Sequence, residues 1–122
     1  MLIALMTILF LGGGTTGLLD FIGGIEDSIE FVMEKDDRRK GALATVKEMQ
    51  KRTKARNKQV KKSRKELSKV LADPEATEAD INATWETFYA EVESYNADML
   101  DLRFELRDRL TRDEWQQVFS AD

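Results

Sequence analysis

The chain lacks cysteine and histidine altogether and carries one proline, Pro74, in 122 residues. Without cysteine there is no disulfide framework and no thiol nucleophile, and the redox compartment is left open. With histidine also absent, a structural zinc site and any Ser-His-Asp or Cys-His triad are excluded. Lysine and arginine are missing from the first 34 residues, Lys35 being the first basic side chain. A secretory signal peptide opens on a basic region, so the apolar start reads as a retained segment rather than a cleaved one. Aromatics amount to only 8% of the chain, and they concentrate from Trp85 onward, which places the larger part of the candidate core in the carboxy-terminal half.

What is present divides into three blocks. Met1–Leu19 holds no charged side chain. Lys47–Lys69 holds eleven Lys and Arg against two acids, Glu48 and Glu66, a local charge of +9. Asp73–Asp122 holds fourteen acids against four Arg, a local charge of −10. The net charge of −4 is therefore the near-cancellation of two large opposite charges, a pattern expected when the two halves face each other.

Nineteen uncharged residues at about 1.5 Å each reach roughly 28 Å, the thickness of the hydrocarbon core of a bilayer. The expectation is a transmembrane helix, with Gly12, Gly13, Gly14 and Gly17 as a close helix–helix contact or as a frayed stretch. Leu18, Phe21, Ile22, Ile25, Ile29, Val32 and Met33 then recur at three- and four-residue steps, with Asp20, Glu26, Asp27, Glu30 and Glu34 between them. That spacing predicts an amphipathic helix whose stripe packs on protein, because a lipid-surface helix ordinarily uses Lys and Arg on its polar face. The expected domains are residues 1–34 as membrane and membrane-proximal helix, 35–41 as linker, and 42–122 as a helical hairpin domain. Lys35, Arg38, Arg39 and Lys40 flank the span and place the remainder in the cytoplasm of a bacterial inner-membrane protein by the positive-inside rule.

Ala42–Ala72 contains neither Gly nor Pro and is rich in strong helix formers. Val46, Met49, Thr53, Val60, Leu67 and Val70 follow heptad steps, with Arg56 and Ser63 in the remaining slots, so the stripe is thin and polar in its middle. Asp73-Pro74 ends this helix, since a residue before Pro is pushed out of the α region. Thr77, with Asp80 three positions on, caps the next. There Ile81, Trp85, Phe88, Val92, Tyr95, Met99, Leu102 and Leu106 form an unbroken heptad seam. Rods of about 46 and 49 Å joined by a short turn read as an antiparallel hairpin. The fold class expected is all-α: an amino-terminal transmembrane helix, a long hairpin and a short carboxy-terminal helix. The second rod has more apolar surface than the first can cover, so a third element must cover it: the carboxy-terminal helix, the Phe21–Met33 helix or another subunit.

Leu110-Thr111-Arg112-Asp113-Glu114-Trp115 has the pattern of a helix start, with Thr111 and Glu114 as a capping box and Leu110 and Trp115 as a hydrophobic staple. Trp115, Val118 and Phe119 then share one face. The L-T-x-x-E run at Leu110–Glu114 resembles the L-T-x-x-Q motif of Spy/CpxP-like and heavy-metal-resistance envelope proteins, which are long helical hairpins. The resemblance implies a periplasmic or membrane-anchored stress chaperone or sensor. Glu114 stands where that motif has Gln, and this chain has no histidine of the kind the metal-sensing members use. A phage spanin or a secretion-system subunit would also join one span to a long coiled rod.

No catalytic, cofactor-binding or metal-ligating set emerges. Asp98, Asp101, Glu105 and Asp108 share a helix face flanked by Arg103, Arg107 and Arg109, as a solvated ion-pair face does, whereas acid–base work needs an enclosed site. Lys47–Lys69 lacks interleaved aromatics for stacking on bases, so nucleic acid is not the expected partner. The function expected is non-enzymatic assembly or partner binding, with the membrane, a second copy or another protein as partner, no small-molecule substrate and no cofactor.

Overall fold

The computed structural model describes residues 14–119, which form four helices. α1 is Gly14–Val32, α2 is Asp37–Ala72, α3 is Glu78–Arg109 and α4 is Arg112–Phe119. No strand occurs among the described residues, so the all-α class and the hairpin of two long rods hold. The thirty-six residues of α2 span about 54 Å and the thirty-two of α3 about 48 Å.

The expected membrane helix is corrected. Among the described residues no helix is long and apolar enough to cross a membrane. α1 carries Asp20, Glu26, Asp27 and Glu30, and its apolar stripe is used on protein. Ile22, Ile25 and Ile29, with Met33 just beyond the helix, are buried together with residues of α2 and α4. Leu18, counted in the expected span, packs on the same cluster. The single-pass inner-membrane location, and the topology built on it, fall with the span. Residues 1–13, including Gly12 and Gly13, lie outside the described residues. Gly14 opens α1, and among the described residues, the backbone of α1 itself aside, nothing comes within 4 Å of the position a Cβ on Gly17 would take.

The break between α1 and α2 is shorter than a linker at 35–41. Asp36 is the N-cap of α2, its carboxylate accepting from the Arg39 backbone N–H at 3.0 Å, so the helix already runs through Asp37–Gly41. At the far end the chain leaves α2 at Asp73, and a reciprocal capping box starts α3. Thr77 Oγ1 accepts from the Asp80 N–H at 3.2 Å, and the Thr77 N–H donates to Asp80 at 3.0 Å. Hydrogen bonding from the Thr77 backbone N–H, and then from the Thr77 side chain, holds the Asp80 carboxyl below its ordinary range.

The heptad slots of both rods turn inward. On α2 the buried set is Ala42, Val46, Met49, Thr53, Arg56, Val60 and Ser63, in unbroken four- and three-residue steps, with Thr45 buried beside them. On α3 Phe88, Val92, Tyr95 and Leu106 are buried, and Ile81, Trp85, Met99 and Leu102 are half-buried. Cross-helix hydrogen bonds repeat every heptad: Thr45 with Glu105, Arg52 with Asp98, and Gln59 with Glu91. Seven residues up one rod match seven down the other, which defines an antiparallel register.

The seam has three parts. At the end near α4, α1 completes a core of Ile22, Ile25, Ile29, Met33, Ala42, Val46, Met49, Leu106, Leu110 and Val118. Toward the turn a smaller cluster holds Val60, Phe88 and Val92, flanked by Trp85. Between them lies a polar layer in which Thr53 and Tyr95 share a hydrogen bond of 2.8 Å. Among the described residues the surplus apolar surface of α3 is thus only partly covered, by α1 and α4 at one end. Leu106 is fully buried in the larger core, whereas Leu100 is 53% exposed. Leu106→Ala is expected to cost about 2–5 kcal/mol in a urea melt and Leu100→Ala close to nothing; equal effects would place the core elsewhere.

Candidate functional site

Beside the larger core, α1 and α3 leave a groove of about 400 Å³. Leu18, Phe21, Ile22 and Ile25 line it from α1, Met99, Arg103 and Leu106 from α3, Met49 from α2, and Trp115 with Phe119 from α4. The groove follows from helix periodicity. Ile22 and Ile25 reach the core, while Leu18 and Phe21, one step around the same helix, are left at the margin. Phe21 is 60% exposed, and Leu100 and Phe104 continue an apolar surface on α3. Exposed apolar residues gathered at a groove mark interaction sites more often than scattered single residues do.

The end wall of the groove is α4, and its position is set by the carboxy-terminal motif. Thr111 Oγ1 accepts from the Glu114 N–H at 3.1 Å, and the Thr111 N–H donates to Glu114 at 2.8 Å, so the expected capping box forms. Leu110 is buried and Trp115 half-buried, as a staple requires. Trp115 and Phe119 then lie 4.2 Å apart, centroid to centroid, on the groove side. α4 packs chiefly on α1 rather than along the α3 seam.

Sequence reasoning missed Arg38, which it assigned to a linker. Arg38 forms a two-pronged ion pair with Glu114, one prong being Nη2 to Oε2 at 2.9 Å, and it also donates to the Arg109 carbonyl at 3.1 Å. One guanidinium thus joins the start of α2, the end of α3 and the start of α4. Close by, a Cβ on Gly41 would collide with the Arg109 guanidinium, so the absent side chain lets that arginine pass beside α2. The only signal available in the sequence was the doubled Arg38-Arg39 next to a capping aspartate.

Arginine also rims the groove. The Arg103 guanidinium lies 5.2 Å from the Trp115 ring and 5.4 Å from Phe104, and that of Arg107 lies 5.0 Å from Phe104. These are cation–π contacts, and they spread positive charge along an apolar edge. No group of three or more metal-ligating side chains gathers among the described residues. The carboxyls with resolved shifts, Glu114 and Asp80, are both engaged in capping rather than facing the groove.

Comparison of the chain with protein-family models, with curated proteins and with solved structures found no match. The reading of the site rests on its physical chemistry.

Hydrogen bonding to Arg38, then to Thr111, holds the Glu114 carboxyl down at about 2, against an ordinary value of 4.5. A depressed carboxyl stabilises the fold above its unfolded value, and that contribution is lost as pH falls from about 4.5 toward 2. Arg38 is 40% exposed at its side chain, so solvent screening reduces the effect. Glu114→Gln is expected to cost about 1–2 kcal/mol at pH 7 and to flatten the acid limb of the stability profile below pH 4.5. Parallel acid limbs for parent and variant would show that this pair does not tie the three helices.

Proposed function

We propose that the protein acts without catalysis, by assembling with helices of other chains, and first with a second copy of itself, through the groove between α1 and α3. The observation that carries this reading is the apolar groove with exposed Phe21 at its lip and the Leu100–Phe104 surface beside it. A chain with a complete core has no need of a half-built layer, and helix-in-groove docking reuses the packing rules that hold the hairpin together.

Charge favours a second copy as the occupant. The basic and acidic rods were expected to neutralise each other, yet every lysine from Lys47 to Lys69 faces solvent. Arg52–Asp98 is an ion pair that joins the rods, and Glu86, Glu93 and Asp101 on α3 are exposed. Another copy laid alongside would offer acid to the lysine ridge and lysine to the acidic rod. Such complementarity raises association rates and selects orientation.

Sedimentation of the full chain should give a dimer or larger species at micromolar concentration, weakening at high salt as exposed ion pairs are screened. Phe21→Glu, at an exposed position, should run as a folded monomer by sedimentation with an unchanged helical circular dichroism spectrum. A parent protein that stays monomeric to about 100 µM would overturn self-assembly.

A further inference from the structure

A second cleft lies on the hairpin, in the polar layer, and shares no lining residue with the groove. It encloses about 300 Å³, at the small end for ligand pockets. Val60, Phe88, Val92 and Tyr95 give it an apolar floor, and Arg56 contributes a guanidinium. Arg56 is only 7% exposed, and its Nε and Nη2 are buried without a hydrogen-bond acceptor among the described residues. The group rests against the Tyr95 ring, Cζ lying 4.5 Å from the centroid.

The carboxylates of the cleft are already engaged. Glu91 accepts from Gln59 at 2.6 Å and from Ser63 at 3.0 Å, and Asp98 accepts from Arg52 at 2.9 Å. The Tyr95 hydroxyl is held by Thr53. A buried cation with two donors unmet is costly, and it is compensated best by an anion of matching shape. A carboxylate presents two coplanar oxygens to the planar fork of a guanidinium. The apolar floor calls for a hydrocarbon body behind that head, and the volume limits the body to a small one. Ala55 and Ser94, both small and exposed, stand on the lining.

We propose that the Arg56 cleft is a binding site for a small amphipathic carboxylate, such as a medium-chain fatty acid, with Arg56 as its counter-ion and Val60, Phe88 and Val92 holding the chain. Burial disfavours the charged form of Arg56, the state an entering carboxylate would stabilise. A purely register-setting arginine would have no preference for a charged ligand, and that difference makes the test.

Decanoate is titrated into the full chain while the Arg56 Nε–H resonance is followed by NMR, with decanol as an uncharged probe of equal length. The site predicts a saturable shift of that resonance with a Kd below about 1 mM for decanoate. Decanol should bind about tenfold or more weakly, and Arg56→Met should lose decanoate binding by about ten- to a hundredfold while its circular dichroism melt shows it folded. Arg56→Lys, which keeps charge but not the planar fork, should fall between the two. No saturable shift, equal affinity for decanol, or undiminished binding by Arg56→Met would each overturn the proposal.

Discussion

Everything in this structure depends on the antiparallel contact between α2 and α3. Two helices of that length touching along one face bury little by themselves, so each heptad position of the seam counts. The sequence uses those positions unevenly. Apolar residues fill both ends, and Thr53, Arg56, Ser63 and Tyr95 occupy the middle. Buried polar groups lower the gain from packing but penalise displaced alignments, since a slip by one heptad would set Arg56 against Phe88 or Leu102 in place of the Tyr95 ring. The recurring Thr45–Glu105, Arg52–Asp98 and Gln59–Glu91 pairs show the register that results.

The two ends of the hairpin meet different fates. At the open end α1 and α4 add a third layer, and Arg38 ties three helix termini together with one side chain. Toward the turn there is no third layer among the described residues, and the cluster around Phe88 is small. Surface chemistry follows the same division, with an aromatic groove where α1 stops short of α3 and a charged, ridged rod beyond it. Charge is therefore available for contacts outside the chain, because the lysines of Lys47–Lys69 face solvent while the seam between the rods is largely apolar.

Both candidate sites come from incomplete satisfaction rather than from a catalytic constellation. In the groove, apolar side chains at the margin of one core lack a covering layer among the described residues. In the cleft, a guanidinium has been taken from water without a full set of acceptors. Arg56 apart, the groups with resolved shifts serve caps, as at Thr77–Asp80, or helix ties, as at Arg38–Glu114. The resemblance of Leu110–Glu114 to an envelope-protein motif has a sufficient local account: those residues start a helix.

The sequence by itself determined the elements whose information is local. Heptad spacing set which faces of α2 and α3 turn inward, even placing Arg56 and Ser63 in the seam. Asp73-Pro74, Thr77–Asp80 and Thr111–Glu114 set the turn and the helix starts, because caps act within one turn of helix. Only the tertiary structure decided what the amphipathic stripe of α1 covers, and an apolar stretch read alone cannot distinguish lipid from a neighbouring helix as its solvent. The same holds for Arg38, Gly41 and the unmet donors of Arg56. Their roles depend on which distant groups arrive beside them, and that is settled by competition among whole packings rather than by any residue's own preference.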